Sequence, residues 1–307
     1  MSDVADVTVV IPAFESAETI GRALASVAAQ TLLPRCVIVV DDGSVDATAA
    51  AAEAWRGKMN GIYLLIIRQQ NAGAGAARNR AVEEANTRYV AFLDADDEWL
   101  PEHLGATLRY IDDNGLTLAA HNIWQIENGH ETLLDTASRL SDWDDPYVSL
   151  YCKGCIATST VVVDREAVVS AGGFDPTLSN GQDVDLWLAI LRVPGVRFGI
   201  FSEPLARYFI SPNGINAQTA RRFRFYLMIA HRWAGEIAGR SAGGVFALWF
   251  RMAAIHLGAV QGSLSSGNLI AALVACLRFP VNLVLITVSG YTSPMAVDRN
   301  FLTRENS

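Results

Sequence analysis

The stretch YVAFLDADDEW, residues 89–99, decides the fold. Residues 89–93 form a continuous apolar run, which stops at Asp94, Asp96 and Asp97. A strand that is apolar on both faces is typical of a parallel sheet covered by helices on both sides. Carboxylates this close together repel one another, and burial raises their pKa values. The stretch therefore predicts a buried strand whose end needs a positive charge among its aspartates.

Three earlier apolar runs alternate with helical stretches. The runs are VTVVIPAF (7–14), CVIVVDDGS (36–44) and IYLLIIRQ (62–69). Between and after them, helices are predicted over 16–29, 46–56 and 75–86. Asp46 is placed to cap the second of these helices. Strands alternating with helices predict an α/β fold, with a doubly wound, mostly parallel sheet of the Rossmann-like type.

Acidic residues follow the predicted strands at their carboxyl ends. Glu15 follows the first strand, Asp41 and Asp42 follow the second, and the aspartates from Asp94 onward follow the fourth. In open α/β sheets, ligands bind in the crevice beyond the carboxyl ends of the strands. We therefore expect these carboxylates, which are distant in sequence, to line one site at one edge of the sheet.

Beyond residue 102 the pattern is less regular. It predicts a helix over 102–113, strands over 118–127 and 156–163, a glycine-rich loop entering a helix over 172–191, and helices from about 217 to 290. We expect one α/β unit over 1–216 and a helical C-terminal region over 217–307.

The bulk properties disfavour several kinds of protein. The chain has 307 residues and a formal net charge of −8, which argues against nucleic acid as a partner. Four cysteines are too few for a disulfide framework and fit a reducing compartment. Cys152 and Cys155 form one CxxC without a second pair, so we expect ordinary thiols, since a closed zinc site needs four ligands. Residues 1–14 include two aspartates and no basic segment, which predicts a cytoplasmic protein without a secretory signal.

The DADD element has two interpretations. The aspartates could belong to a solvated loop in which Asp97 or Glu98 caps the next helix. Alternatively, they hold Mg²⁺ or Mn²⁺, which take oxygen ligands, often only one or two carboxylates, and complete their shell with water and substrate phosphate. The second interpretation predicts a phosphorylated ligand beside the ion.

Other polar residues also have a structural and a functional interpretation. Asp42 could belong to a turn, or it could accept a hydrogen bond from a base or from a ribose hydroxyl. Arg78, in the glycine-rich stretch QNAGAGAARNRA (70–81), could be structural or could supply a cation near a diphosphate. Asp183 could cap a helix or act as a general base for an acceptor hydroxyl. Asp185 fits the capping role and a favourable contact with the helix dipole.

Five motifs together resemble the family 2 glycosyltransferases, which have the GT-A fold. They are VVIPAFE, VVDDGSVDAT, NAGAGAARNRA, FLDADDEW (the DxD element) and GGFDPTLSNGQDVDLWLAI, and the resemblance covers about residues 6–212. It implies an inverting transfer of a hexosyl-type sugar from a UDP-, GDP- or dTDP-sugar to an acceptor hydroxyl, assisted by Mn²⁺ or Mg²⁺, in polysaccharide or glycoconjugate synthesis. The half over about 1–100 would bind the nucleotide sugar, and the half over about 101–216 would bind the acceptor.

The resemblance also implies roles for single residues. The donor site would contain Pro12, Ala13, Phe14, Glu15, Asp42, Arg78, Asp94 and Ala95. Asp96 would bind the metal, and Asp183 would be the catalytic base. The sequence departs from the family pattern at Gln182, where an acid is usual before the base. It departs again in LARYFISPNGIN (205–216), which lacks the usual histidine and leaves Arg207 as a substitute.

The C-terminal region has three interpretations. Residues 244–262 and 268–290 are strongly apolar, and the second stretch is nearly long enough to span a bilayer, although Arg278 at its centre would be costly in lipid. The helices could cap the catalytic domain or a partner subunit in an oligomer, lie in the membrane interface, or span the bilayer. Arginines interleaved with aromatics in 221–233 fit an interfacial helix. Peripheral contact through 217–290 would place the protein on the inner face of the cytoplasmic membrane, with a lipid-linked acceptor as the alternative to a glycan.

Two other functions fit parts of the sequence. A sugar nucleotidyltransferase would show a glycine-rich, basic loop directly after the first strand, and IPAFESAE (11–18) has neither property. A non-catalytic sugar-nucleotide-binding protein would be expected to have lost Asp96 or Asp183, and this chain has both. The glycosyltransferase is therefore the favoured function.

Overall fold

A computed structural model describes residues 4–140, 143–154, 156–210, 219–240, 243–292, 299 and 301–302. Within these ranges the strands are β1 (Ala5–Ala13), β2 (Pro34–Asp41), β3 (Tyr63–Arg68), β4 (Tyr89–Phe92), β5 (Glu98–Trp99), β6 (Leu118–His121), β7 (Ile123–Glu127), β8 (His130–Leu134), β9 (Val162–Asp164), β10 (Phe198–Phe201) and β11 (Ala206–Phe209). The helices are α1 (Ile20–Ala28), α2 (Thr48–Glu53), α3 (Ala74–Glu84), α4 (His103–Asn114), α5 (Thr136–Arg139), α6 (Pro146–Lys153), α7 (Arg165–Ser170), α8 (Gln182–Leu191), α9 (Thr219–Arg232), α10 (Ala234–Arg240), α11 (Gly244–Ser265) and α12 (Leu269–Thr292).

The central sheet of the described chain has seven strands in the order β10-β6-β9-β4-β1-β2-β3. Neighbouring strands run parallel except at β9, which is antiparallel to both β4 and β6. A smaller sheet has the order β5-β11-β7-β8. The predicted α/β fold, with a doubly wound and mostly parallel sheet and a C-terminal helical extension, is confirmed.

The apolar runs form the central strands because both of their faces are buried. Val10 and Phe92 point into one cluster, which also contains Trp187 of α8. Val9 precedes Val10 and Ala91 precedes Phe92. Both point into a second cluster on the opposite face of the sheet. Alternation of side chains between the two faces of a strand explains why runs of this kind are apolar throughout.

The predicted strand over 118–127 is wrong as a single element. It divides into β6, which belongs to the seven-stranded sheet, and β7, which belongs to the smaller one. The chain changes sheets at Asn122, whose Oδ1 accepts hydrogen bonds from the amides of Thr136 and Ala137, each at 2.8 Å. The side chain of Asn122 therefore fixes the bend that separates the two strands.

Three other elements begin later than predicted. Helix α1, expected over 16–29, starts at Ile20. The strand expected over 156–163 starts at Val162, because Thr158–Thr160 form a 3₁₀ turn. Helix α2 starts at Thr48, so Asp46 is not its N-cap residue. The Asp46 carboxylate nevertheless accepts a hydrogen bond from the Thr48 amide at 2.9 Å, which satisfies one of the free donors at the start of that helix.

The C-terminal helices pack onto the α/β domain through a shared core. Ile229, Trp233, Ile237 and Met252 belong to the same apolar cluster as Trp187. Helices α11 and α12 are each long and apolar enough to cross a membrane, judged by length and composition. The inner sides of these helices complete the core of the protein.

Asp185 anchors this arrangement, and the predicted capping role is wrong. The N-cap residue of α8 is Gly181, whereas Asp185 is fully buried in the first turn. Its carboxylate accepts hydrogen bonds from Nη1 of Arg232 and Nε1 of Trp233, each at 2.9 Å, and from Arg299. A buried carboxylate needs such partners, so Asp185 ties α8 to the C-terminal region.

Candidate active site

The carboxyl ends of β1, β2 and β4 meet at one edge of the central sheet. The amide of Asp42 donates to the carbonyl of Ala13 at 2.8 Å, and the amide of Leu93 donates to the carbonyl of Val10 at 3.1 Å. These bonds align the ends of three strands that are far apart in sequence. The expected convergence of polar residues is therefore present in the fold.

The three aspartates after β4 have different surroundings. Asp94 lies 2.5 Å from Nη2 of Arg78, and its amide donates to Oγ of Ser159 at 3.2 Å. Asp97 is buried and accepts hydrogen bonds from Oγ of Ser159 and from the amide of Phe209. Among the described residues, the carboxylate of Asp96 accepts no hydrogen bond from any other residue, so it is the one that is free to bind a ligand.

Electrostatic repulsion is concentrated on the two later aspartates. Burial raises the pKa of Asp97 well above its usual range, and the charges of Asp94 and Asp96 raise it further. Burial also raises the pKa of Asp96, with the charge of Asp94 as the second cause. An added cation would relieve this repulsion, which is the physical reason to expect one here.

Asp97 and Glu98 do not cap the next helix, so that alternative for the DADD element is wrong. Glu98 belongs to β5, and helix α4 begins at His103 with Glu102 as its N-cap residue. Asp97 instead holds Ser159, whose carbonyl accepts a hydrogen bond from Nε1 of Trp99 at 2.7 Å. Ser159 therefore joins the DADD element to the segment that precedes β9.

Two arginines supply part of the missing positive charge. Arg78 is almost fully buried, and its guanidinium lies 5.3 Å from the centre of the Phe174 ring. Arg22 donates to the carbonyl of Asp96 and stacks on Phe209 at 3.7 Å. The Nε atoms of both arginines are buried without a hydrogen-bond partner among the described residues. Unsatisfied cationic donors beside the unpaired carboxylate of Asp96 fit a ligand that carries both a divalent cation and anionic oxygens.

The expected metal fits this donor set without a dedicated protein cage. Among the described residues, no three His, Cys, Asp or Glu side chains converge on a common metal position. Mg²⁺ and Mn²⁺ need only one or two carboxylates when a substrate diphosphate and water provide the remaining oxygens. Asp96, with Asp94 beside it, meets that requirement.

The residues expected in the nucleoside pocket lie around the end of β1. Pro12 and Ala13 are buried in the strand, and Ala95 is buried after β4. Phe14 exposes 51% of its surface, which leaves its ring available to a base. Glu15 has a positive φ of 49°, an uncommon conformation for a residue other than glycine, and its Oε1 accepts from the amide of Val45 at 2.8 Å.

Asp42 is committed to a loop contact in this structure. Its carboxylate accepts hydrogen bonds from the amides of Ala72 and Gly73, at 2.9 Å and 2.7 Å, and from Nε2 of Gln69 at 2.7 Å. These bonds fix the glycine-rich segment that leads into α3. A carboxylate has about four lone-pair positions, so one acceptor position remains for a base edge.

Asp183 is the second residue of α8 and is half-buried. Its Oδ2 accepts a hydrogen bond from Oγ1 of Thr158 at 3.0 Å. Burial raises the pKa of Asp183, and the charge of Asp94 raises it further, whereas Arg78 and the Thr158 hydroxyl oppose the rise. Asp183 is therefore close enough to Arg78 and Asp94 for their charges to shift its pKa. A raised carboxyl pKa is what a general base working near neutral pH requires.

Neighbours of Asp183 tie the base segment to the glycine-rich loop and to the C-terminal helices. A Cβ on Gly75 would lie 2.9 Å from the carboxamide of Gln182, so this glycine allows close packing. A Cβ on Gly181 would lie 2.7 Å from Ile229 of α9. Burial raises the pKa of Tyr226, and the charge of Asp183 contributes to the rise. Helix α9 therefore forms a wall beside Asp183.

Arg207 is engaged in ion pairs on the smaller sheet. Its Nε lies 3.1 Å from Glu131, and its Nη1 lies 3.4 Å from Glu98. Residues 211–216 of the expected arginine-histidine segment lie outside the described residues. Of the CxxC pair, Cys155 also lies outside them. Burial raises the pKa of the Cys152 thiol to about 12, which makes it an unreactive thiol.

Four residues of the site were missed by sequence reasoning. Arg22, Thr158, Ser159 and Tyr226 stand outside the recognisable motifs, and each reaches the site only through tertiary packing. Arg22 offered the one usable signal, because a lone arginine in an otherwise apolar helix next to the site marks a candidate cation.

Comparison with known proteins identifies the family. The family described as Glycosyl transferase family 2 matches residues 8–147. The amylovoran biosynthesis glycosyltransferase AmsB of Erwinia amylovora is 31% identical over 210 residues, which cover 66% of this chain and 68% of that protein.

Two solved structures share the fold. The structure of S. aureus TarS 1-349 in complex with UDP-GlcNAc aligns with a TM-score of 0.63 and 17% identity, covering 92% of this chain and 90% of that one. The mannosyltransferase PcManGT from Pyrobaculum calidifontis, in complex with GDP-Man and Mn²⁺, aligns with a TM-score of 0.62 and 20% identity, covering 95% and 89%. The motifs, the GT-A architecture and the relationship to AmsB lead to one conclusion: the chain is a glycosyltransferase and belongs to glycosyl transferase family 2.

Proposed function

We propose that this glycosyltransferase transfers a sugar, with inversion, from a nucleotide-diphosphate sugar to an acceptor hydroxyl, and that Asp183 is the catalytic base. The observation that carries the proposal is the position of Asp183, half-buried and within electrostatic reach of Arg78 and Asp94. A base must lie near the reacting sugar, and the sugar must lie next to the diphosphate. We therefore expect the sugar and the diphosphate to bind beside the Arg78–Asp94 pair.

The reaction follows from these positions. The acceptor oxygen attacks the anomeric carbon on the face opposite the diphosphate, and the bond from that carbon to the diphosphate oxygen breaks. Asp183 takes the proton of the attacking hydroxyl as the new bond forms. Attack from the opposite face inverts the configuration. Arg78 stabilises the negative charge that develops on the departing nucleoside diphosphate.

Asp96, with help from Asp94, would hold Mn²⁺ or Mg²⁺. When bound, such an ion neutralises the charge of the diphosphate leaving group. The two unsatisfied Nε atoms of Arg22 and Arg78 support an anionic ligand at this position. The Mn²⁺ complex of PcManGT is consistent with the choice of ion.

For the donor nucleoside we propose the pocket formed by Pro12, Ala13, Phe14, Glu15, Asp42 and Ala95. The ring of Phe14 would stack on the base, and Glu15 would approach the ribose. TarS and PcManGT have been solved with UDP-GlcNAc and GDP-Man, which supports a nucleotide-diphosphate sugar as the donor class. The relationship to an amylovoran biosynthesis enzyme supports a glycan or lipid-linked acceptor in polysaccharide or glycoconjugate synthesis.

We further propose that residues 1–216 form the catalytic domain and that 217–307 form an accessory helical region. The donor half spans about 1–100, and the acceptor half spans about 101–216. Such an enzyme would work on the cytoplasmic side, where nucleotide sugars are made.

Calorimetric titration with UDP, GDP and dTDP, each with and without Mn²⁺, tests the donor site. Binding of one nucleotide that depends on Mn²⁺ is the expected result. Binding without any release of nucleoside diphosphate from the matching nucleotide sugar, under any acceptor condition, would favour a non-catalytic binding protein. Absence of binding to all three nucleotides would contradict the proposed donor site.

A further inference from the structure

Helix α12 turns a broad apolar face towards solvent. Ten of its apolar side chains are between 39% and 78% exposed, among them Ile270, Leu277 and Val284. At 3.6 residues per turn they cover an arc of about 160° around the helix. The opposite side of α12, with Ala272 and Ile286, is buried against the protein. A soluble helix normally shows the reverse, with its polar side facing the water.

Helix α11 extends the same apolar surface. It runs antiparallel to α12 across a short turn, and Nε1 of Trp249 donates to Oγ1 of Thr287 at 2.9 Å. Phe246 and Trp249 are exposed near the start of α11, and Tyr291 is exposed at the end of α12. These three aromatic side chains thus lie at the same end of the α11–α12 helix pair. Aromatic residues favour the level of the lipid headgroups because their rings are amphipathic.

The charge of the chain is divided sharply between its two regions. Residues 219–292 contain seven arginines and one glutamate, a net charge of +6, whereas residues 1–218 carry a net charge of −14. Arg278 lies in a groove of about 430 Å³ between α9 and α12, beside Leu277 and Val281. Among the described residues, exposed Arg224 and Arg278 have no acidic partner. Cations next to an apolar surface complement the anionic headgroups of a bilayer.

We propose that the apolar face of α11 and α12 docks on the surface of an anionic lipid bilayer. A second copy of the chain fits less well, because it would bring the unpaired charges of Arg224 and Arg278 near those of the other copy and because a pairing seam is narrower than this face. A span fits less well because one side of α12 is packed on the protein. The helices therefore lie along the bilayer surface with their apolar side chains immersed.

The docking face is linked to the catalytic region through α9. Ile229 of α9 lies against Gly181, two residues before Asp183. Leu227, two residues before Ile229 on the same helix, lines the groove that contains Arg278. Helix α9 thus lies between the groove that contains Arg278 and the segment that leads to the proposed base. Docking itself does not depend on the role of Asp183.

Flotation of the full-length protein with lipid vesicles tests the inference. We expect the protein to float with vesicles of phosphatidylcholine and phosphatidylglycerol, and to float much less with phosphatidylcholine alone. The double variant Leu277→Glu with Val284→Glu should reduce the floating fraction at least about tenfold, because two immersed apolar side chains become charged. The double variant Arg224→Glu with Arg278→Glu should lose only the preference for phosphatidylglycerol.

The control is Val193→Glu, which makes one substitution of the same kind at an exposed apolar residue outside the C-terminal helices. It should float like the native protein. All variants should keep their thermal unfolding temperature, since the substituted side chains are exposed. Flotation of the Leu277/Val284 variant at the native level would overturn the inference. Absence of flotation for the native protein would also overturn it. A third contrary result is a native protein that binds no vesicles and forms a dimer, which the Leu277/Val284 variant converts to a monomer.

Discussion

Arg78 and Asp94 form an ion pair of 2.5 Å at the carboxyl edge of the sheet. Arg78 is nearly buried, and Asp94 is about one third exposed on its side chain. This pair neutralises one of three neighbouring aspartates and leaves Asp96 without a partner among the described residues. This ion pair explains how three carboxylates can lie close together when no ligand is bound.

The first prediction concerns that pair. Arg78→Ala should destabilise the protein by about 1–3 kcal/mol, because Asp94 and its neighbours lose their buried cation. The double variant Arg78→Ala with Asp94→Ala should recover part of this loss. Urea unfolding of the four proteins in the double-mutant cycle measures the coupling energy. Strictly additive effects would contradict the coupling of the two side chains.

The second prediction concerns Asp96. Asp96→Asn should weaken the affinity for the nucleotide in the presence of Mn²⁺ by at least about tenfold, a loss of roughly 1.4 kcal/mol. Without Mn²⁺ the two proteins should bind the nucleotide equally weakly, because the role of Asp96 is to hold the ion. Asp113→Asn, on the exposed side of α4, is the control and should bind like the native protein. An unchanged affinity in Asp96→Asn would place the metal elsewhere.

The third prediction is a pH dependence of stability set by Asp97. The pKa of Asp97 is raised in the folded protein, so its contribution to stability is complete below the unfolded value of 3.8 and is lost as the pH rises through the folded pKa. Relative to Asp97→Asn, the native protein without metal should therefore become less stable as the pH rises from about 4 towards neutrality. Urea unfolding at a series of pH values measures this difference. A difference that does not change with pH would show that Asp97 titrates normally.

The fourth prediction concerns the anchor of the C-terminal helices. Asp185→Asn should cost about 3–5 kcal/mol, because it leaves the buried cation of Arg299 without its counter-ion and leaves Arg232 with Asp175 alone. Glu53→Gln breaks an exposed ion pair with Arg56 and should leave the stability nearly unchanged. Chemical denaturation compares the two variants. Equal stability losses in both would mean that the Asp185 network contributes no more than a surface pair.

The first four strands and their order along the chain could be predicted, because strands that are buried on both faces are apolar throughout. Strands β5, β8, β10 and β11 are short and were not predicted. The run at 7–14 and the run at 89–93 are apolar throughout, as parallel strands in the middle of a sheet must be. The edge where the acidic residues meet followed from the same rule. The division of 118–127 between two sheets could not be predicted, because it depends on hydrogen bonds that the Asn122 side chain accepts from residues 14 and 15 positions away.

The site itself was only partly readable. Asp94, Asp96 and Asp183 stand in recognisable motifs, and their roles stay predictions. The residues that hydrogen-bond each carboxylate come from distant segments of the chain. Ser159 bonds Asp97 across 62 positions. Arg232 bonds Asp185 across 47 positions. Contacts of that kind depend on the packed structure and leave no local pattern.

The central claim is that Asp183 is the base, and one measurement addresses it directly. The release of nucleoside diphosphate from the nucleotide sugar selected by titration is compared between the native protein, Asp183→Asn and the exposed control Asp144→Asn. The turnover of Asp183→Asn should fall by about 10²–10⁴-fold, the usual contribution of a general base, while its affinity for the nucleotide stays nearly native. Near-native turnover in Asp183→Asn would contradict the claim, and the base would then have to be another residue of this edge.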